Sequence, residues 1–329
     1  MRIRATATSA LALGLVILSL AAEAQSPSSL ARIGFMPLGS PSNAYDQSLV
    51  EAFRRGLRES GLVENRQVIL DVAWISAESE IAGTVKTLIE RGARILVPVG
   101  TSASVETQRQ TSTIPILFIS VGNPLGVGLV GSLSRPGGNV TGFSDLLAEL
   151  SGKYVQFARE LGKPQAPVHY LWHTGWADGQ YRFQATERAA AAVGVTVRPR
   201  GIADIGELSD AFTAMKKAGA VTVIIQPSPF TYRQRFRIIE SATNHGLAAI
   251  FAFPPAARDG ALIAYGPDYA DLYRRAGAAV DRFLKGAKPA DFPVEQPSKF
   301  EMIINLKTAK ALGVTVPPPL LQQATEIIQ

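Results

Sequence analysis

Short apolar runs alternate with longer amphipathic stretches along most of this chain. Each apolar run has the length of a buried strand, and each amphipathic stretch has the period of a helix with one buried face. Strands and helices that alternate in this way are typical of a parallel sheet covered on both faces. The pattern therefore predicts an α/β protein.

Two successive units share this alternation. The first has predicted strands at residues 33–36, 68–74, 95–99 and 116–120, and the second at 168–173, from Val195, at 221–226 and at 249–253. The pattern restarts after residues 137–142, with predicted helices that include 144–161 and 232–245. A strand at 261–265, a helix at 268–285 and a strand-helix pair at 300–312 complete the chain. These last elements have to be shared between the two units.

The N-terminus does not follow this alternation. Arg2 and Arg4 precede an almost unbroken apolar run, and the small-x-small triplet Ala22-Glu23-Ala24 follows it. These features predict a cleaved secretory signal peptide over residues 1–24. A membrane anchor is disfavoured because a helix needs about 20 apolar residues to span a bilayer. The mature protein is therefore expected in the periplasm.

Composition supports a folded, two-domain protein. The chain has 47% hydrophobic and 18% charged residues and no cysteine, so neither a lipid anchor nor a disulfide framework is available. Its remaining length exceeds what one hydrophobic core usually supports. The formal net charge of +6 falls to +5 without Arg2, Arg4 and Glu23, and the basic residues are scattered. The modest cluster of Arg233, Arg235 and Arg237 is interpreted as a solvated helix face, so no nucleic-acid partner is expected.

An exported chain of two α/β units suggests a cleft, because ligands in parallel sheets bind beyond the carboxyl ends of the strands. Small, polar loops follow three strands of the first unit. The ligand-binding residues predicted from these loops are Ser40, Thr101, Ser102, Val121 and Asn123. Thr101 and Ser102 stand where a strand turns into a helix, so they could hold a carboxylate at the positive end of the helix dipole. The alternative that these residues only cap helices stays open.

Aromatic and polar residues stand at strand ends of the second unit. The ligand-binding residues predicted there are Trp172, His173, Gln226, Phe230, Phe253 and Tyr265. If the rings converge, they form a flat apolar slot for a planar solute, with Gln226 and His173 available for hydrogen bonds. Aromatic residues at strand ends also serve hydrophobic cores, and that alternative stays open as well.

Several ordered motifs carry a resemblance to a known family. They are Thr113-Ile114-Pro115-Ile116, Gly122-Asn123-Pro124-Leu125, Arg135-Pro136-Gly137-Gly138-Asn139-Val140-Thr141-Gly142, and Asn305-Leu306-Lys307-Thr308-Ala309-Lys310-Ala311-Leu312-Gly313 followed by Pro317-Pro318. From about Arg32 to its C-terminus, the chain resembles the substrate-binding proteins of ABC transporters in the tryptophan/tyrosine-uptake-like family. The resemblance implies a type I periplasmic-binding fold, with two Rossmann-like lobes that have parallel sheets, are joined by three crossovers and close around a small molecule.

The resemblance also implies how the chain divides. Lobe one is expected to comprise residues 30–141 plus 261–289, and lobe two residues 142–260 plus 290–329. The family's association with aromatic amino acids favours the aromatic slot. Family members often carry an aspartate where this chain has Asn123, and asparagine brings no charge to pair with an ammonium group. Recognition of an amino group on the ligand therefore stays an open question.

Rival chemistries have weaker support. Residues 126–131 match the dinucleotide pattern GxGxxG, but Asn123-Pro124 separates them from their strand, so no cofactor is expected. His169 and His173 would lie about 13 Å apart on one strand, so no metal site is predicted. No G-x-S-x-G nucleophile elbow is present, and no catalytic residue is predicted.

The sequence therefore predicts a periplasmic receptor of an ABC importer. It is expected to capture a small, aromatic or amino-acid-like solute by hinge closure and to deliver it to a permease. The expected partners are the solute and the permease transmembrane subunits, with the membrane reached only through the permease, and a monomer is expected. A secreted α/β enzyme and a periplasmic sensory protein are the alternatives, and the sequence does not separate transport from sensing.

Overall fold

The computed structural model describes residues 30–162, 166–176 and 179–329. The predicted signal peptide at residues 1–24 lies outside the described residues. Two separate sheets with flanking helices form the described part, and the predicted α/β fold with two lobes is confirmed.

The first lobe is built on a five-stranded parallel sheet. Its elements are β1 (Ala31–Met36), α1 (Ala44–Glu59), β2 (Val68–Val72), α2 (Ile81–Glu90), β3 (Ala93–Pro98), α3 (Thr101–Gln110), β4 (Ile116–Val121) and β5 (Val140–Ser144). The strand order is β2-β1-β3-β4-β5. Because all five strands run in parallel, the loops that follow β1, β3, β4 and β5 meet at one edge of the sheet.

The second lobe is built on a seven-stranded sheet. Its strands are β6 (Val168–His173), β7 (Val197–Ile202), β8 (Thr222–Ile225), β9 (Ala248–Phe251), β10 (Ile263–Pro267), β11 (Phe300–Asn305) and β12 (Glu326–Ile328). The strand order is β12-β11-β10-β9-β8-β6-β7, and β11 runs antiparallel to β10. The helices that follow β5 along the chain are α4 (Ser151–Leu161), α5 (Gly179–Ala191), α6 (Leu208–Lys217), α7 (Pro229–Arg233), α8 (Arg235–Asn244), α9 (Pro255–Arg258), α10 (Tyr269–Leu284), α11 (Leu306–Leu312) and α12 (Pro318–Gln323).

Although α10 comes late in the chain, it packs on the first lobe. Its buried residues Leu272 and Tyr273 join the hydrophobic core that contains Phe35 of β1. A methyl group on Gly56 of α1 would lie 1.9 Å from the carbonyl oxygen of Arg274, and one on Gly277 would lie 2.2 Å from that of Phe53. Glycine at both crossing points therefore lets the backbones of α1 and α10 touch.

The expected lobe boundaries need correction. Residues 261–267 were expected in the first lobe, but β10 pairs with β9 and β11 in the second sheet. Residues 142–144 were expected in the second lobe, but they complete β5, and Val294 packs with Val140 in the first lobe. Ile263 and Ala264 are fully buried. Burial explains why the pattern predicts this strand, but an apolar run does not show which sheet it joins.

Two predicted helices also differ from the structure. The helix predicted at 144–161 begins only at Ser151, because Ser144 ends a strand. The helix predicted at 232–245 is two helices, α7 and α8, which meet at Gln234. Ser228 precedes α7, and its side chain accepts a hydrogen bond from the backbone N–H of Thr231. This N-cap starts α7 directly after the strand β8 and gives the second lobe a short helix at the edge that faces the first.

Candidate functional site

A cavity lies between the two lobes, at the carboxyl ends of both sheets. Its volume is about 840 Å³, including the space at its open mouth. Residues from both lobes line it: Leu38, Leu49, Val99, Gly100, Thr101, Ser120, Asp145, Leu147, Trp176, Arg182, Ile225, Gln226, Pro227, Ser228, Pro229, Thr231, Tyr232, Arg235, Phe251, Ala252, Phe253, Tyr269 and Tyr273. The lining combines many apolar side chains with a few charged ones, a composition typical of small-molecule sites.

Asp145 and Arg182 form a buried ion pair in the cavity wall. Arg182 Nη2 lies 3.5 Å from Asp145 Oδ2, and the two side chains are 5% and 3% exposed. Asp145 follows β5 and also accepts hydrogen bonds from the Ser120 hydroxyl at 3.1 Å and from the Leu147 backbone N–H at 3.1 Å. We call Asp145 and Arg182 the acid-base pole. It presents a negative and a positive group side by side.

Arg182 also makes a contact between the two lobes. It stands on α5 of the second lobe, with its guanidinium 5.1 Å from the centre of the Trp176 ring. A methyl group on Gly122, in the loop that follows β4 of the first lobe, would lie 2.1 Å from Arg182 Nη2. The guanidinium therefore lies directly against first-lobe backbone, in space that only glycine leaves open.

A second contact between the lobes joins α7 to α1. The Tyr232 hydroxyl donates a hydrogen bond to Asp46, which also accepts one from the Ser40 backbone N–H at 2.8 Å. Tyr45 and Tyr232 both meet the Phe253 ring edge-on, with centroids at 5.3 Å and 4.4 Å. Burial raises the pKa of Asp46, and burial and the nearby Asp46 raise that of Tyr232. The hydrogen bond is therefore held away from water.

Arg235 forms a third feature of the lining. Its Nε donates to Asp259 at 2.7 Å, and its Nη1 donates to the Tyr232 carbonyl oxygen at 3.1 Å. The guanidinium carbon lies 4.7 Å from the Tyr232 ring centre and 4.4 Å from that of Phe236. Two hydrogen bonds and two aromatic rings thus hold this cation in place.

Three of the residues predicted from sequence line the cavity: Thr101, Gln226 and Phe253. Thr101 is the first residue of α3, as the helix-dipole argument requires. Gln226 is fully buried, and its Nε2 donates to the Gly179 carbonyl oxygen at 3.0 Å. That bond fixes the start of α5, the helix that carries Arg182.

The other first-lobe candidates have contacts elsewhere. Ser40 approaches Asp46 through its backbone, while its hydroxyl lies 2.8 Å from that of Ser42. Ser102 donates to Glu78 at 2.9 Å, and Val121 is fully buried in a hydrophobic core. Asn123 Oδ1 accepts from the Gly126 backbone N–H at 2.9 Å. Asn123 thus caps its own loop, and the carboxylate in the cavity is Asp145.

The remaining second-lobe candidates pack within their own lobe. Trp172 lies against Gly179 and Gly201, where a methyl group would stand 2.9 Å and 3.1 Å from its ring atoms. His173 and Phe230 stack on each other with centroids 4.3 Å apart, and Tyr265 stacks on Phe300 at 6.0 Å. Their positions in the sequence predict that these rings stand at strand ends. They do not predict on which side of the sheet each ring packs.

Sequence reasoning missed much of the lining, above all Asp145, Trp176, Arg182, Tyr232, Arg235 and Tyr269. A usable signal existed for Asp145, which directly follows β5, the strand that begins within the motif at 135–142. The sequence pattern places Arg235 on a solvated helix face, but the residue is only 4% exposed in the structure. A charged residue near the start of a helix looks the same in sequence whether it faces solvent or a cleft.

The described residues contain no group of three or more potential ligands arranged to hold a metal ion. In the same part of the chain, no helix has the length and apolarity needed to cross a membrane.

Comparison with known proteins places these features in a family. The family model described as ABC transporter substrate binding protein matches residues 43–328. A tyrosine-binding protein of Clostridioides difficile (strain R20291) is 24% identical over 268 residues, which is 80% of this chain and 76% of that protein.

Two solved structures share the fold. The ABC domain from Streptococcus pneumoniae in complex with L-Trp is 25% identical, has a TM-score of 0.83, and is matched over 91% of this chain and 100% of that one. The ligand-free, open structure of a substrate binding protein with adhesive properties from Clostridium difficile is 21% identical, has a TM-score of 0.66 and covers the same shares. The chain belongs to the family of ABC transporter substrate-binding proteins.

Proposed function

We propose that this chain is a periplasmic receptor that captures a small aromatic solute with a zwitterionic head and delivers it to an ABC permease. The observation that carries the proposal is the cavity between the lobes, with the acid-base pole in its wall and aromatic rings around it. The relatives named for tyrosine and L-Trp support a solute of this class.

The acid-base pole fits the head of an amino acid. Asp145 offers a carboxylate to an ammonium group, and Arg182 offers a guanidinium to a carboxylate. Thr101 adds the N-terminus of α3, where the helix dipole favours negative charge. Opposite charges side by side complement a zwitterion better than a purely anionic or cationic solute.

Aromatic rings line the rest of the cavity. Trp176, Tyr232, Phe253 and Tyr269 come from four different segments, and Phe253 contacts both Tyr232 and Tyr269. Rings of this kind bury a large apolar area and favour stacking or edge contacts with a planar solute. These walls therefore favour aromatic over aliphatic side groups.

Closure of the lobes would supply the mechanism. Arg182 against Gly122, and Tyr232 against Asp46, are contacts between lobes that an open form would not keep. A solute that touches both lobes stabilises the closed form by its differential affinity for that form. Transport then requires only that a permease recognises the closed shape, and no bond is made or broken.

Calorimetric titration of the purified mature protein tests the proposal. L-tryptophan, L-tyrosine and L-phenylalanine should bind more tightly than L-leucine, and Asp145→Asn should weaken all three. Asp281→Asn is the matched control and should leave binding unchanged, because Asp281 of α10 pairs with Lys285 at the end of that helix, outside the cavity lining. If none of the aromatic amino acids binds, the proposed solute class is wrong.

A further inference from the structure

We propose that Arg235 selects solutes with a hydrogen-bond acceptor on the end remote from the acid-base pole. The inference rests on the proposed function and names a specificity-determining residue of the same cavity. The acceptor is an oxygen on the far side of the aromatic ring, either a hydroxyl or a carboxylate.

The position of Arg235 is the first argument. Arg235 contacts Tyr232, whose hydroxyl donates to Asp46 in the first turn of α1, the helix that follows β1 in the chain. Asp145 instead follows β5, and β3 and β4 separate β1 from β5. Three strand spacings correspond to about 14 Å. Arg235 therefore lies toward the β1 side of the cavity, and the acid-base pole lies toward the β5 side.

Charge is the second argument. Asp145 and Arg182 both line the cavity and balance each other there. Arg235 lines the cavity as well, but its counter-ion Asp259 lies outside the lining, with 24% of its side chain exposed. A solute in the cavity can therefore contact the guanidinium but not the Asp259 carboxylate, and the charged side chains that line the cavity sum to one positive charge.

Geometry is the third argument. The hydrogen bonds that Arg235 makes within the described residues use Nε and Nη1. Nη2 therefore has no acceptor among the described residues, and because Arg235 lines the cavity this donor is available to a solute. The rings of Tyr232 and Phe236 hold the guanidinium plane in position. A charged donor that is already held in place loses little side-chain entropy when it binds an acceptor on the solute. The same donor is left without a partner when the aromatic ring of the solute carries only hydrogen at its far end.

Calorimetry with matched solutes tests this inference. L-tyrosine and L-phenylalanine differ only by the phenolic hydroxyl, and 4-carboxy-L-phenylalanine places a carboxylate at the same position. The wild-type protein should bind L-tyrosine and the carboxy compound at least about tenfold more tightly than L-phenylalanine, as a hydrogen bond to a charged group provides. Equal binding of all three would overturn the inference while leaving the proposed function intact.

A variant of Arg235 tests whether this residue causes the preference for solutes with an acceptor. Arg235→Met removes the donors and keeps most of the apolar stem, so the preference for L-tyrosine over L-phenylalanine should disappear. A merely structural role would weaken both solutes equally and keep their ratio, which would count against the inference. Arg258→Met is the matched control, because Arg258 pairs with Glu326 outside the cavity and its loss should keep the ratio. If Arg235→Met does not fold, the wild-type ratios decide alone.

Discussion

The Tyr232 hydroxyl donates a hydrogen bond to the Asp46 carboxylate, and this bond joins α7 of the second lobe to α1 of the first. Asp46 is only 3% exposed, so the bond forms in a water-poor environment. Beside it, Tyr45 of α1 makes an edge-on ring contact with Phe253, which follows β9 of the second lobe. Both contacts join residues of different lobes, so they exist only when the lobes are together.

Removing the Tyr232 hydroxyl should weaken solute binding. A hydrogen bond to a charged group contributes about 1.5–3 kcal/mol, so Tyr232→Phe should lower the affinity by at least about tenfold in calorimetry. Tyr154→Phe is the matched control, because the Tyr154 hydroxyl donates to the Tyr265 carbonyl oxygen within the second lobe. Equal effects of the two substitutions would contradict a role for Tyr232 in closure.

Asp46 should make the stability of the protein depend on pH. Burial raises its pKa above the ordinary value of 3.8, so the folded protein favours the protonated carboxyl group. The resulting stabilisation is fully present below pH 3.8 and is lost as the pH rises through the raised pKa. The melting temperature of the wild type minus that of Asp46→Asn should therefore fall from acidic to neutral pH. A difference that stays constant or rises would refute this.

A methyl group at Gly122 should oppose closure. It would lie 2.1 Å from Arg182 Nη2 and force that guanidinium away from Asp145. Overpacking typically costs about 1–3 kcal/mol, so Gly122→Ala should weaken solute binding by a factor between about 5 and about 140. Gly83→Ala is the control, because a methyl group there meets open space. Unchanged affinity in Gly122→Ala would show that Arg182 does not approach the first lobe in the bound state.

The two tryptophans near β6 should behave differently. Trp176 lines the cavity, so Trp176→Ala should reduce the preference for aromatic over aliphatic solutes by about 0.5–1.5 kcal/mol. Trp172 packs against Gly179 and Gly201, so Trp172→Ala should lower the melting temperature and leave that preference unchanged. Thermal-shift measurements with both solute classes check the pair. Loss of the preference in Trp172→Ala alone would reverse the two roles.

The sequence predicted the two-lobed architecture because apolar periodicity records burial directly. It placed Thr101 at the start of a helix after a strand, and that position lies in the cavity wall. The sequence did not identify Arg182 or Asp145 as site residues, because each forms its ion pair with a residue distant in the chain and no local pattern marks it. It also assigned β10 to the other lobe, since strand pairing depends on tertiary packing.

The central claim is that the lobes close around the solute through α7 and α1. The chain has no cysteine, so Ala44→Cys and Arg237→Cys place one spin label on each lobe, at exposed positions of α1 and α8. Pulsed electron paramagnetic resonance then measures the distance between the labels with and without L-tyrosine or L-tryptophan. The account predicts a shorter and narrower distance distribution when the solute is bound. An identical distribution at saturating solute would contradict it.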